Sequence, residues 1–512
     1  MSSINLGGVV DSHRSRRPDQ PAIITESRVW TYEDLAQAVH SFAAWLHDRG
    51  VGRGDRVALL AKNSAEYVVS LLAVYRVGGI AVPLNYRLQS EELTYLLRDS
   101  GSVAILADGE YTASIDAILA DTPQLRLRVC LDGAGGAGWQ PWAQAVAAHA
   151  GSSVPVAEVG PQDVQRIMYT SGTTSRPKGV LVTHGMVLCN LAVMTAEFQL
   201  SAEDRILVSS PLYHIAALDA PGLNVLFQGG AIVVMRRFDA AGALDLMARH
   251  RVSGGIFVQA MLHALRDASD GSTDVSSVKW LIFGAAAGEL YRDIRKQFPG
   301  ARLVQSYGLT EGCSMVSCVP ERLASAKLGT VGTAVPFIEF RVVDESGREA
   351  PAGTPGEIVV RGAKVTPGYW GDTGATETAW RDGWFHTGDV GVVDADGCLS
   401  ITDRLKDMIR SGGENVASGE IERVIYDHPA VQEVAVVGVP DPRWQEVPKA
   451  FVVLKKGQTA RADELIAHCR ASLASFKTPK HVEFIEVLPR NASGKVLKRE
   501  LRELAPSLEQ VP

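Results

Sequence analysis

Basic residues are not in excess in this chain: 51 Lys and Arg stand against 58 Asp and Glu, a formal charge of −7. That balance excludes non-specific nucleic-acid binding, and any polyanionic ligand must be held by a local basic cluster. Long apolar runs are missing too. No uninterrupted stretch of about 20 apolar residues occurs, so no membrane span is expected. The opening MSSINLGGVVDSHRSRRPDQ lacks an apolar core of signal-peptide length. Cysteine is scarce and scattered, at Cys130, Cys189, Cys313, Cys318, Cys398 and Cys469. With no CxxC pair and no Cys/His array, free buried thiols in a reducing cytoplasm are expected. No internal repeat is evident, and the Walker spacing GxxxxGK[ST] is absent.

What is present reads as an ordinary globular protein, with 46% hydrophobic and 21% charged residues. The length of 512 residues admits roughly three domains of about 150 residues. Short apolar runs alternate with amphipathic stretches. Arg56–Ala61, Val103–Ala107, Ala231–Met235, Trp280–Phe283 and Glu357–Val360 read as buried strands. Thr31 with Asp34 offers a capping box for a helix. Asp132–Gly138 (DGAGGAG) reads as a surface loop. The alternation predicts layered α/β architecture with parallel or mixed sheets.

A boundary is expected between residues 403 and 404, within Asp403–Asp407. Beyond it lies a compact pattern of roughly a hundred residues: a helix from Gly419 to about Tyr426, strands Val434–Val439 and Lys449–Leu454, and a helix from about Ala462 to Leu473. The expected fold is therefore a large N-terminal domain, 1–403, of layered sheets with helices, and a small C-terminal α+β domain, 404–512.

The most informative segment is Tyr169–Gly179, YTSGTTSRPKG. Small residues let backbone N–H groups approach phosphate oxygens, Ser171, Thr173 and Thr174 add hydroxyls, and Lys178 adds positive charge. The full string closely resembles the phosphate loop of the adenylate-forming superfamily, which includes acyl-CoA ligases, luciferases and non-ribosomal adenylation domains. One departure is Ser175, where that family usually has glycine; a serine is strained there only if the backbone needs φ > 0.

The resemblance covers nearly the whole chain, in the family's order. It implies an ATP site of Thr170, Ser171, Gly172, Thr173, Thr174 and Lys178, with the adenine and metal segment Gln305–Glu311 (QSYGLTE). There Ser306, Tyr307 and Gly308 would flank the purine, Thr310 would reach the α-phosphate, and Glu311 with Thr173 would ligate Mg2+. Gly284, Ala285 and Ala286 have almost no bulk, and the resemblance places them against adenine and the acyl group; tight helix–strand packing is the competing reading. In GWFHTGD, Asp389 would bind the ribose hydroxyls, assisted by Arg404. In PLYHI, His214 would sit beside the acyl carboxylate, although a lone His among apolar residues is usually structural.

In the small domain the resemblance makes Lys495 (PRNASGK) the catalytic lysine. Its ammonium would bridge the attacking carboxylate and the α-phosphate and stabilise charge that develops in the transition state. Lys406 stands where the family swivels its small domain. Ser411, Gly412, Gly413 and Glu414 would line the pantetheine tunnel, with Ala417-Ser418 where many relatives have Tyr-Pro or His-Pro. Arg87, Trp444, Phe476, Lys477 and Lys480 resemble the CoA-nucleotide cluster.

The implied activity is an ATP-dependent acid–CoA ligase with ATP, Mg2+ and coenzyme A. A carboxylate attacks the α-phosphate to give acyl-AMP and pyrophosphate; CoA thiolate then releases AMP. Loading of a carrier protein is the alternative. A luciferase-like oxygenase would need a luciferin-type substrate, and a degenerate scaffold would have lost Lys495, Glu311 or Asp389, all of which are present. The acyl-pocket candidates Val193, His214, Ile215, Phe257, Gly284 and Gly308 are mostly apolar or small. No acidic partner for an α-ammonium is apparent, so a hydrophobic fatty, aryl or alicyclic acid is expected. Asp219 lies near His214 in sequence, its direction open. A homodimer is left open.

Overall fold

The computed structural model describes residues 4–170, 176–286, 288–405, 407–411, 414–475, 477–490 and 496–504, with the backbone alone at 414 and 415. The chain forms two compact units. One comprises Met1–Phe340 and Val360–Phe385, the other Arg341–Val359 and His386–Pro512. Among the described residues, no helix is long and apolar enough to cross a membrane.

The first unit holds two large mixed sheets. One runs in the order Gln140–Pro141, Leu127–Cys130, Ala104–Ala107, Arg56–Leu60, Ile80–Pro83, Val164–Thr170, Lys178–Thr183. Its pairings are parallel except the last, a hairpin in which Thr170 faces Lys178. The other is built around the parallel strands Pro21–Ile24, Ala231–Val234, Arg205–Val208, Gly254–Ile256, Trp280–Phe283 and Arg302–Leu309. Ser314–Cys318 then returns antiparallel along Arg302–Leu309. Parallel strands covered on both faces must be apolar throughout. Trp280–Phe283 obeys this rule, with all four residues buried. Gly254 is required beside it, because a Cβ there would lie 2.4 Å from the Trp280 ring. Phe257, Leu262, Leu281, Phe283, Leu290 and Leu303 pack into one core under this sheet.

The expected strands and helices are present, with ends shifted by a few residues. Thr31 caps the helix Tyr32–Asp48 through a capping box with Asp34. Asp132–Gly138 is an exposed connection between Leu127–Cys130 and Gln140–Pro141, with Gly135 and Gly138 at positive φ. The cysteines are free and buried as expected, except that Cys189 is half-buried.

In the second unit, Glu414–Val416, Ile409–Ser411, Gln445–Leu454 and Val431–Asp441 form an antiparallel sheet, joined in parallel by His481–Phe484. The helices Ser418–Tyr426 and Ala462–Ser472 contribute Ile421, Ile425, Leu465 and Cys469 to its core.

Candidate active site

The hairpin Val164–Thr170/Lys178–Thr183 holds both ends of the phosphate-loop candidate. Residues 171–175, hence Ser171, Gly172, Thr173, Thr174 and Ser175, lie outside the described residues. The Tyr169 hydroxyl donates to Asp99 Oδ2 at 2.5 Å, and Tyr95 donates to the Pro177 carbonyl at 3.2 Å. Thr170 and Lys178 face each other across the ladder.

Segment Thr366–Trp370 lies against the second strand of that hairpin. Gly368 and Gly179 carbonyls accept from Leu181 and Trp370 N–H groups at 3.1 and 2.7 Å. This places Tyr369 over Lys178, with Nζ 5.2 Å from the ring centroid. The Tyr369 hydroxyl donates to Glu311 Oε1 at 3.2 Å. Burial, reinforced by the Glu311 carboxylate, pushes the Tyr369 phenol well above its ordinary range, so it stays a donor. Lys178 and Glu311, 133 positions apart in the chain, are thus joined through one aromatic side chain. Sequence reasoning passed over Tyr369; an aromatic pair set between Gly368 and Gly371 was the available signal.

The adenine candidates are also gathered. Gln305 Oε1 accepts from the Ala286 N–H at 2.9 Å and from the Gly329 N–H at 3.2 Å. Ser306 Oγ donates to the Phe283 carbonyl at 3.3 Å. The three small residues differ from one another. Ala286 is buried in the core, Ala285 is half-buried, and Gly284 is exposed, with no described residue within 4 Å of a Cβ placed on it. Close packing therefore explains Ala286 but not Gly284. Gly308 is demanded by the backbone, since a Cβ would meet the Ser314 carbonyl oxygen at 2.2 Å. Tyr307 and Thr310 are half-buried on the same strand-and-turn.

His214 precedes the helix Ile215–Asp219, its ring 4.5 Å from that of Tyr213, which meets Tyr86 edge-on at 5.2 Å. Among the other acyl-pocket candidates, Val193, Ile215 and Phe257 are buried, Phe257 as part of the core. Asp219 points into the interior. Its Oδ2 pairs with Arg166 Nη2 at 2.7 Å, both side chains at 2% exposure or less. Asn190 donates to the Asp219 carbonyl at 2.8 Å and accepts from Lys364 Nζ at 2.8 Å. Burial lowers the Lys364 ammonium to about 8.

In the second unit, Asp389 and Arg404 are register partners on adjacent antiparallel strands, with Nε 3.0 Å from Oδ1. Glu357 braces the turn before Asp389, accepting from Gly388 N–H at 3.1 Å and contacting His386 Nδ1 at 2.7 Å. Lys406, Gly412, Gly413, Phe476 and Lys495 lie outside the described residues, as does the side chain of Glu414. Ser411 is buried. Ser418 begins a helix: its hydroxyl donates to Asp403 Oδ2 at 2.7 Å and accepts from Lys498 at 2.5 Å. The Ala417-Ser418 departure thus has a structural use.

Of the CoA candidates, Lys477 pairs with Glu420 at 2.8 Å. Trp444 is 40% exposed beneath the Arg443 guanidinium, 4.6 Å from its ring; Arg443 was missed in the sequence. Lys480 is exposed and donates its backbone N–H to the Pro448 carbonyl at 2.9 Å. In the first unit, Arg87 is exposed, 5.9 Å from the Tyr86 ring.

Among the described residues no group of three or more His, Cys, Asp or Glu could hold a metal ion. Mg2+ is commonly held by one or two carboxylates together with phosphate oxygens and water. Glu311 fits that role.

The fold is mixed α/β, in two compact units. The family model for AMP-binding enzymes matches residues 10–370, and that for the AMP-binding enzyme C-terminal domain matches residues 420–495. The chain belongs to the AMP-binding enzyme family, the adenylate-forming superfamily. It is 39% identical over 486 residues to a feruloyl-CoA synthase of an Amycolatopsis species, covering 95% of this chain and 96% of that one. It is 36% identical to an indoleacetate–CoA ligase of Aromatoleum aromaticum, with 98% of each chain covered. Among solved structures, ATP-bound MatB from Rhodopseudomonas palustris superposes with a TM-score of 0.90 at 32% identity, covering 98% of this chain and 99% of that one.

Proposed function

We propose that this protein is an AMP-forming acid–CoA ligase acting on a hydrophobic carboxylic acid. It activates the acid with ATP as acyl-AMP, releasing pyrophosphate, and transfers the acyl group to CoA, releasing AMP. The observation that carries this is end-to-end similarity to acid–CoA ligases, among them the feruloyl and indoleacetate enzymes and a long-chain fatty-acid ligase of Mycobacterium tuberculosis at 35% identity. Their acids are aryl, heteroaryl and fatty, which supports a hydrophobic acid for this chain. Six free cysteines support the cytoplasmic location.

The residue roles are part of the proposal. Lys178 and the phosphate loop take the ATP phosphates, and Asp389 with Arg404 takes the ribose. Gly284 leaves room for a ligand against the backbone. His214 faces the acyl carboxylate. Glu311 and Thr173 would hold Mg2+, which neutralises phosphate charge when bound. Lys495 stabilises the charge that passes from the carboxylate to the bridging oxygens. Lys406 is the hinge between half-reactions, and Trp444, Lys477, Lys480 and Arg87 serve CoA. Lys477 is already paired with Glu420, so it would have to exchange that partner for a phosphate.

Lys495→Ala is expected to abolish pyrophosphate release while largely keeping CoA transfer from pre-made acyl-AMP; equal loss of both steps would sink the assignment. A second reading, loading of a carrier protein, is favoured by 34% identity to a fatty acid–acyl-carrier-protein ligase of Streptomyces coeruleorubidus. Free-CoA consumption separates the two.

A further inference from the structure

We propose that Lys364 is a positioning residue for Glu311, acting through the left-handed turn Cys313-Ser314. The inference rests on Glu311 as the carboxylate for Mg2+, the reading given above.

The turn is unusual. Cys313 and Ser314 have φ of 48° and 80°, a region that side-chain-bearing residues rarely occupy. Two such residues in succession cost free energy, and they persist only where the surroundings over-determine them. The turn connects Glu311, on the one-turn helix Thr310–Gly312, to the strand Ser314–Cys318. Its geometry therefore sets where the Glu311 carboxylate points.

One segment clamps it from both sides. The Thr366 N–H donates to the Glu311 carbonyl at 2.7 Å, and the Tyr369 hydroxyl donates to the Glu311 side chain at 3.2 Å. On the far side of the turn, Lys364 Nζ donates to the Met315 carbonyl at 2.6 Å and to Asn190 Oδ1 at 2.8 Å. Lys364 and Thr366 are fully buried. A buried ammonium is expensive to keep, and its two acceptors are uncharged, so stability alone is a poor reason for a lysine here. What the lysine supplies is a fixed end-point for the strained turn. Nothing in the segment Ala363-Lys364-Val365 advertises this in the sequence.

Calorimetric affinity for α,β-methylene-ATP, with and without Mg2+ and with no acid present, tests the proposal. In the native protein Mg2+ is expected to raise the affinity. In Lys364→Met that gain is expected to fall at least tenfold, while the magnesium-free affinity stays within twofold. Adding Ser314→Gly is expected to restore the gain, because glycine adopts positive φ without a clamp. Glu311→Gln is the control for the underlying reading and loses the gain in every background. A folded Lys364→Met that keeps its gain overturns the proposal, and so does failure of Ser314→Gly to restore it. If Glu311→Gln keeps the gain, the reading of Glu311 is what fails. Should Lys364→Met not fold, Lys364→Gln takes its place under the same outcomes.

Discussion

Gly284 offers a substitution whose effect on folding and effect on function should separate. A Cβ at this position meets nothing within 4 Å among the described residues, and its backbone is outside the left-handed region. Alanine is therefore sterically admissible, and it narrows the unfolded ensemble. Gly284→Ala should change stability by no more than a gain of about 0.4–1 kcal/mol. In a chain of this size that is a rise in Tm of at most about 2 °C. If adenine or the acyl group lies against this backbone, the new methyl intrudes on it. Overpacking by one methyl group costs roughly 1–3 kcal/mol, or about five- to 150-fold in kcat/KM at tenfold per 1.4 kcal/mol. Gly308→Ala is the contrasting variant. Its Cβ would approach the Ser314 carbonyl oxygen to 2.2 Å, and backbone cannot move aside cheaply. It should lose stability and activity together. The measurements are thermal unfolding by dye fluorescence and pyrophosphate release, with ATP and acid varied separately. Gly284→Ala with an unchanged kcat/KM for both substrates would refute the idea that a ligand lies there. A fall in Tm above about 4 °C would refute the claim of open space.

Asp219→Asn should destabilise the first unit by about 3–5 kcal/mol, because it strands the buried Arg166 charge. Arg166 Nε and Nη1 have no hydrogen-bond partner among the described residues, and replacing both residues with apolar ones should cost less. A chemical-denaturation midpoint for Asp219→Asn close to native would contradict this. His184 predicts a dependence on pH. Burial lowers its imidazole to about 4, and it opens the helix His184–Phe198, where the dipole also disfavours a cation. The unfolded chain binds a proton near pH 6.5 that the folded one refuses until about pH 4. Stability from this group is thus full above pH 6.5 and lost as pH falls toward 4. Between pH 7 and 5 the native protein should lose about 2 kcal/mol more than His184→Gln. Parallel stability profiles would show the reasoning wrong.

What the sequence made legible depended on how locally each feature is encoded. Strands such as Trp280–Phe283 and the capped helix at Thr31 are set by short-range pattern, and both appear where the pattern puts them. The resemblance of Tyr169–Gly179 and QSYGLTE to a known family was equally local, being carried by contiguous strings. The supporting contacts were not legible, because each joins residues far apart in the chain. The Tyr369–Glu311 bond spans 58 positions, the Lys364–Asn190 bond 174 and the Arg166–Asp219 pair 53. No periodicity reports such pairs. Asp219 shows the consequence. It lies near His214 in the sequence, which leaves its direction open, and the fold turns it inward to meet Arg166. The small-residue run divides in the same way: three residues that look alike as a string become a core alanine, a half-buried alanine and an exposed glycine. The family resemblance rests on contiguous strings, while the side chains that brace those strings come from elsewhere in the chain. That is where Lys364 sits, and why its role had to be read from the structure.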